Sequence, residues 1–335
     1  SNTVDWDAIV KLSTAHFVFP ALYCNLKRAS FLSYLPEDLV EYMKYITELN
    51  RERNEKIIAQ ARELNTLLLE HHITPIFLKG TGNLLEGLYE DIAERMVGDI
   101  DFLFSKEDYP RAIELLEGNG YTRDYEKPIY PRARHYPKLV HKKKIAAVEI
   151  HRELLIKKYR NEFNYNFIKS SVQKIHEVSV LSFKNQLILS SAAYQINDYG
   201  FEYKSLTLRN AYDVFLLSKK TTAKKAFKKL NTLRHPLNCF LASCFEVFNK
   251  PKTLQYTSSK KTEKYLVLFN KILFDKNSLK TNYARAEKRI KNKYLLLKIK
   301  IIFKSIFYKK YRTWLFERIT DKNWQKEKLI QLGLK

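Results

Sequence analysis

Residues 73–104 read ITPIFLKGTGNLLEGLYEDIAERMVGDIDFLF, and the fold turns on how this stretch divides. ITPIFLKG is a short apolar run stopped by glycine, GDIDFLF is another, and TGNLLEGLYEDIAE between them has helical spacing. The rhythm is strand, helix, strand. In GDIDFLF the alternation of a strand puts Asp99 and Asp101 on one face and turns Ile100, Phe102 and Phe104 to the other, into a core. Two carboxylates side by side on a rigid strand are costly unless a cation neutralises them, and hard oxygen ligands suit Mg2+ or Mn2+.

Taken alone, a D-I-D triplet more often marks a strand edge or a surface salt bridge, so its surroundings decide. LKGTG sits where the first strand hands over to a helix, and backbone N–H groups at a helix start bind phosphate. Lys79 brings a positive charge to that turn, Gly80 permits close backbone approach, Thr81 offers a hydroxyl, and Arg95 lies on the loop leading to Asp99. Downstream, VEIHREL repeats the strand alternation, with Glu149 and His151 on one face and Val148 and Ile150 on the other. Three carboxylates holding two divalent ions are suited to phosphoryl and nucleotidyl transfer, where the metals bind the attacking and the leaving oxygens.

Between these motifs, Lys106 to Glu117 reads as a helix with Ser105 as N-cap and Gly118 and Gly120 beyond its end. YTRDYE (121–126) is strand-like, Pro128, Pro131 and Pro137 enforce a loop, and KLVHKK and IAAVEIHREL are two more strands. Upstream, Pro36 to His72 spaces apolar residues by three and four with charges between, which predicts one long amphipathic helix. Beyond Lys157 the pattern is mainly helical, over Gln186 to Ile196, Leu206 to Ser218 and Leu237 to Phe248, with one strand at Ile175 to Phe183. The organisation expected is a helical region over 1–72, an α/β core over 73–160 and a mainly helical part over 161–335 with a basic tail.

Composition narrows the classes. The chain has 335 residues, is 45% hydrophobic and 13% aromatic, and can bury a sizeable core. Cys24, Cys239 and Cys244 are too few, and too apolar in setting, for a disulfide framework or a thiolate zinc site, and the eight scattered histidines form no helical ligand pair. The formal net charge of +24 implies attraction to phosphate, whether of nucleotide, nucleic acid or lipid. No run of about eighteen apolar residues exists and the first residues lack the layout of a signal peptide, so a cytoplasmic, or membrane-peripheral, location is expected.

The basic tail leaves three readings open. Residues 284–312 interleave Lys and Arg with Leu, Ile, Phe and Tyr and predict an amphipathic helix with one cationic face. Such a helix fits an anionic membrane surface or a nucleic-acid backbone, or simply packs its apolar stripe on the helical domain.

In order and spacing, FLKGTGNLLEGLY, ERMVGDIDFLF and AAVEIHREL resemble the uncharacterised nucleotidyltransferase family of the DNA-polymerase-beta-like superfamily. The resemblance covers about residues 60 to 220 and implies an α+β fold, a small mixed-sheet core flanked by N-terminal helices and a mainly helical C-terminal region. It further implies that Asp99 and Asp101 bind the metals, that Glu149 completes the site and assists the acceptor, and that Gly80 and Thr81 hold a nucleoside triphosphate. Lys79 and Arg95 would neutralise phosphate charge. His135 and His151 would lie near substrate, though a structural role is the commoner one for a histidine in such a place. The reaction implied moves a nucleoside monophosphate to a hydroxyl or phosphate of a small-molecule or macromolecular acceptor.

Overall fold

The computed structural model describes residues 4–124, 129–131, 133–322 and 325–326. Seven strands form one mixed sheet: β1 (Ile76–Phe77), β2 (Asp99–Leu103), β3 (Thr122–Arg123), β4 (Leu139–Val140), β5 (Ala147–His151), β6 (Val172–Ile175) and β7 (Val178–Leu181). Their order is β3-β4-β5-β2-β1-β7-β6. β2 and β5 run parallel at the centre, and β1 is antiparallel to β2. This is the α+β fold expected, with helices before, within and after the sheet.

Several elements depart from the expected bounds for physical reasons. The helix after β1 spans only Lys79–Glu86, because Gly87 takes the left-handed conformation (φ 73°) and ends it. A short turn at Ile92–Glu94 follows, with the Asp91 carboxylate accepting from the Ala93 N–H at 2.8 Å. The strand expected over Ile175 to Phe183 is β7, and an unexpected strand, β6, precedes it and pairs with it in a hairpin turning at His176 (φ 53°). β7 then pairs in parallel with β1, so the sheet extends past the 73–160 segment and the far edge of β1 is covered. Of the strand-like 121–126, Thr122 and Arg123 pair with β4; Tyr125 and Glu126, like Pro128 of the expected loop, lie outside the described residues.

The long helix is Glu37–Glu70, close to the spacing-based bounds. Ile57, Ala61, Leu64 and Leu68 recur along one face and are buried in a core that runs without a break from Ile57 to Leu254, through the sheet and into the later helices. On the same helix, Asn54 donates to the carbonyls of Ile92 and Arg95 at 2.6 and 2.7 Å, and Asn50 to that of Ala93 at 2.7 Å. The segment entering β2 is thus hung from the helix by side-chain amides. All three cysteines are buried free thiols.

Gly82 shows how tightly the Lys79–Glu86 helix sits on β1. A Cβ there would lie 2.8 Å from the carbonyl oxygen of Phe77 and 3.1 Å from its carbon, and a backbone cannot step aside. Gly82→Ala should cost about 1–3 kcal/mol, read as a lower urea midpoint at unchanged slope.

A second test lies at the far end of that helix. Gln186 donates its amide to Glu86, while Glu86 Oε1 and Gln186 Oε1 are buried acceptors with no hydrogen-bond partner among the described residues. Burial pushes the Glu86 carboxyl up to about 7, against the smaller opposing effects of Gln186 and Lys220. A folded value raised above the ordinary one means that stability present at low pH is lost as pH rises through about 7. Glu86→Gln should therefore match the parent near pH 4. Near pH 8 it should be the more stable by roughly 1 kcal/mol, a figure that allows for partial solvent screening. Urea titrations at the two pH values check this.

Candidate active site

Register brings the acids together. Asp101 and Glu149 are direct partners across the parallel β2–β5 pair, and Asp99 lies two residues before Asp101 on the same face. His151, on the face of Glu149, reaches Asp101 Oδ1 with Nε2 at 2.7 Å and approaches Glu149 Oε2 at 3.4 Å. Ligand atoms of Asp101, Glu149 and His151 all lie within 4.8 Å of one another.

Two ammonium groups bridge the carboxylates. Lys79 Nζ stands 2.5 Å from Asp101 and 3.7 Å from Glu149; Lys138 Nζ stands 2.6 Å from Asp99 and 3.7 Å from Glu149. Each cation spans Glu149 and one aspartate, so the protein's own charges occupy two positions where cations are held between carboxylates. Three carboxylates exceed two ammoniums, so the donor set still favours added positive charge. Asp101, Glu149 and His151 therefore fit a divalent cation: the two carboxylates supply hard oxygens and the imidazole a nitrogen.

The local electrostatics keep Asp101 and Glu149 ionised. Burial opposes the charge on Asp101, but Lys79 and the hydrogen bond from His151 outweigh it and hold the carboxyl well below its ordinary range. Glu149 is held down in the same way, with burial and the neighbouring Asp101 opposing, and His151 and Lys79 prevailing. His135 lies alongside, its ring centroid 5.4 Å from that of His151, in a segment that bridges to β5. Burial lowers its pKa, with only a partial offset from Glu149. It is near the cluster without joining it.

The turn expected from the sequence to bind phosphate lies at the start of the Lys79–Glu86 helix. Lys79 itself takes φ 52°, a strained value for a residue with a side chain, and this aims its ammonium back across β2. The first helical bond runs from Gly82 N–H to the Leu78 carbonyl at 3.0 Å, which leaves the N–H groups of Gly80 and Thr81 ahead of it. The Thr81 hydroxyl does not face outward: it is buried and donates to the Asp99 carbonyl at 2.9 Å, tying the turn to β2. Gly80 has no room for a Cβ, which would meet Val97 Cγ2 at 2.9 Å and the Arg95 guanidinium carbon at 3.5 Å.

Arg95 stands behind this turn. Its Nε donates to Asp213 at 3.0 Å, its Nη1 to the Met96 carbonyl at 2.7 Å, and both charged partners are almost fully buried. Tyr89 donates to the same carboxylate at 2.7 Å. The Arg95 guanidinium is thus tied to Asp213 on the Leu208–Lys220 helix, where the sequence alone suggested a phosphate contact.

Lys138 is the site residue that sequence reasoning missed. It lies in a run of basic residues with no motif, and only the β4–β5 register, Leu139 opposite Val148, sets it against Glu149. Asp198, which caps the π-helical turn Ala193–Asn197 continuing the Phe183–Ala192 helix, is within electrostatic reach of Lys79 and Glu149.

Asp99, Asp101 and Glu149 thus stand together on two adjacent strands, with Lys79 at the helix start bridging Asp101 and Glu149. A family model described as "Uncharacterised nucleotidyltransferase" matches residues 2–247, and the chain belongs to this family. Two crystal structures from Helicobacter pylori are similar at 16% identity and a TM-score of 0.34. One, described as a "putative nucleotidyltransferase", aligns over 71% of this chain and 96% of its own; the other, JHP933, over 74% and 97%. Among curated proteins, no sequence matches.

Proposed function

We propose that the chain transfers a nucleoside monophosphate from a nucleoside triphosphate to a hydroxyl or phosphate oxygen of an acceptor, with pyrophosphate leaving. The observation that supports this reading is the pair of ammonium bridges across Asp99, Asp101 and Glu149, one of them from Lys79 at the helix start. Asp101, Glu149 and His151 would hold a divalent cation, Mg2+ or Mn2+, with Asp99 completing the carboxylate set. That cation would polarise the α-phosphate and stabilise charge on the attacking and leaving oxygens. The N–H groups of Gly80 and Thr81 would bind phosphate oxygens at the helix start. Lys79 and Lys138, released from the carboxylates, would neutralise triphosphate charge, while Arg95 acts behind them by fixing the turn. Glu149, kept ionised, would orient the acceptor and receive its proton at a carboxylate oxygen.

A cleft of about 810 Å³ opens beyond the carboxyl ends of β2 and β5. None of the clustered acids lines it, but Lys106, Arg152, Arg160, Lys169 and Lys310 outnumber Glu107 and Glu153 there, a setting that would suit an acceptor carrying negative charge. Calorimetric titration of the four common nucleoside triphosphates with Mg2+ tests the donor side. Binding of at least one, abolished by removal of the metal, is expected; no binding of any at millimolar concentration defeats the reading.

A further inference from the structure

The C-terminal region ends in two helices, Lys276–Phe307 and Lys309–Thr320, separated by extended backbone at Tyr308. The amphipathic helix expected over 284–312 is therefore broken near its end. Its charge is also arranged otherwise than as a single cationic face. At about 100° per residue, Leu295, Ile299, Ile302 and Ile306 fall in one row, with Phe303 and Phe307 beside them. All six are exposed, from 41% for Ile299 to 77% for Phe307. Lys291 and Lys298 run along one margin of this apolar face, and Lys293 and Lys300 along the other. Lys291 pairs with Glu287 at 3.2 Å and Lys293 with Glu202, while Lys298 and Lys300 form no ion pair among the described residues. The opposite side is already covered: Ile301 is buried toward the second helix, and Lys304 sits over the Tyr311 ring at 5.2 Å.

An exposed apolar face this large needs a covering surface, and its margins specify the charge. Between Glu287 and Glu317 the sequence holds ten Lys and Arg and no acid. A second copy laid on this face would bring like charges together without a compensating acid. A nucleic-acid backbone would satisfy the lysines and leave the leucine, isoleucine and phenylalanine side chains in water. A bilayer with anionic headgroups satisfies both, with the apolar row in the acyl boundary and the lysine stems reaching up to the phosphates. Among the described residues no helix is long and apolar enough to cross a membrane, so the contact would lie in the plane of the interface.

We propose that residues 295–307 dock this protein on an anionic lipid surface, lying flat with Leu295, Ile299, Ile302, Phe303, Ile306 and Phe307 inserted and the flanking lysines on the headgroups. The test is co-sedimentation of the full chain with phosphatidylglycerol-containing vesicles and with pure phosphatidylcholine vesicles. Expected is binding to the first at low salt, at least about tenfold weaker on the second. The variant Ile302→Asp/Ile306→Asp alters only exposed side chains, so its thermal melt should match the parent while vesicle binding falls at least about tenfold. Absence of binding to anionic vesicles, or equal binding by the variant, overturns the proposal. So does a stable dimer of the parent that the variant dissociates, because the face would then be covered by a second copy. None of these outcomes depends on the transferase reaction.

Discussion

Asp101→Asn should reduce nucleotidyl transfer by more than about a hundredfold and abolish metal-dependent triphosphate binding in the same calorimetric titration, while the protein still folds. Asp101 is the acid on which the site converges: Lys79 and His151 both reach its Oδ1, and Glu149 faces it across the strand pair. An amide of the same shape keeps the packing but carries no charge to hold a cation. Lys79, whose side chain is partly exposed, can turn to Glu149 or to water, so the lost partner need not unfold the chain. A variant that keeps both binding and turnover would remove Asp101 from the mechanism.

The same substitution has an acid-side signature in the metal-free protein. The folded Asp101 carboxyl is held below its ordinary value near 3.8, so its contribution to stability is present above that value and lost as pH falls toward the folded one. The parent should lose stability relative to Asp101→Asn as pH drops below about 4. Urea midpoints compared across that range measure it.

Asp213→Ala should destabilise the fold by about 3–5 kcal/mol, because it leaves the Arg95 guanidinium buried without its counter-charge. Tyr89 loses its acceptor as well. The companion Asp213→Ala/Arg95→Met removes the stranded charge and should recover a large part of the loss, since a buried ion pair is often replaceable by apolar groups of similar volume. Denaturant titration of the two variants reads the difference. If the single variant melts with the parent, the pair does not hold the turn. Because the Gly80 turn rests against Arg95 and Val97, any partly folded single variant should also bind triphosphate more weakly.

How much of this was legible in the residues varies from one to the next. Asp99 and Asp101 share a face because a strand alternates, and the same local rule pairs Glu149 with His151. Glycine at 80 and the apolar run before it marked the strand-to-helix turn. Helix ends were less legible: Gly87 stops its helix through a left-handed backbone angle, which the run LLEGLYEDIAE does not announce. Of the β6–β7 hairpin only β7 was read, because the turning residue His176 is not a glycine, asparagine or proline and so β6 carried no turn signal after it.

Three outcomes belonged to the tertiary structure alone. Lys138 comes to the site through an inter-strand register, and register is set by which faces must be buried across the whole sheet. Arg95 and Thr81, which looked like phosphate ligands from their positions, spend their side chains on Asp213 and on the Asp99 carbonyl, because buried polar groups must find partners wherever packing places them. The apolar row over 295–307 faces solvent for the complementary reason: the other side of that helix is the one its neighbour covers. The sequence by itself determined the strand-helix-strand core, the acids and their shared faces, since these follow from local periodicity and backbone chemistry. Which cations meet those acids, which side chains serve only as anchors, and which apolar face stays exposed were decided by contacts between residues far apart in the chain, and local rules do not reach that far.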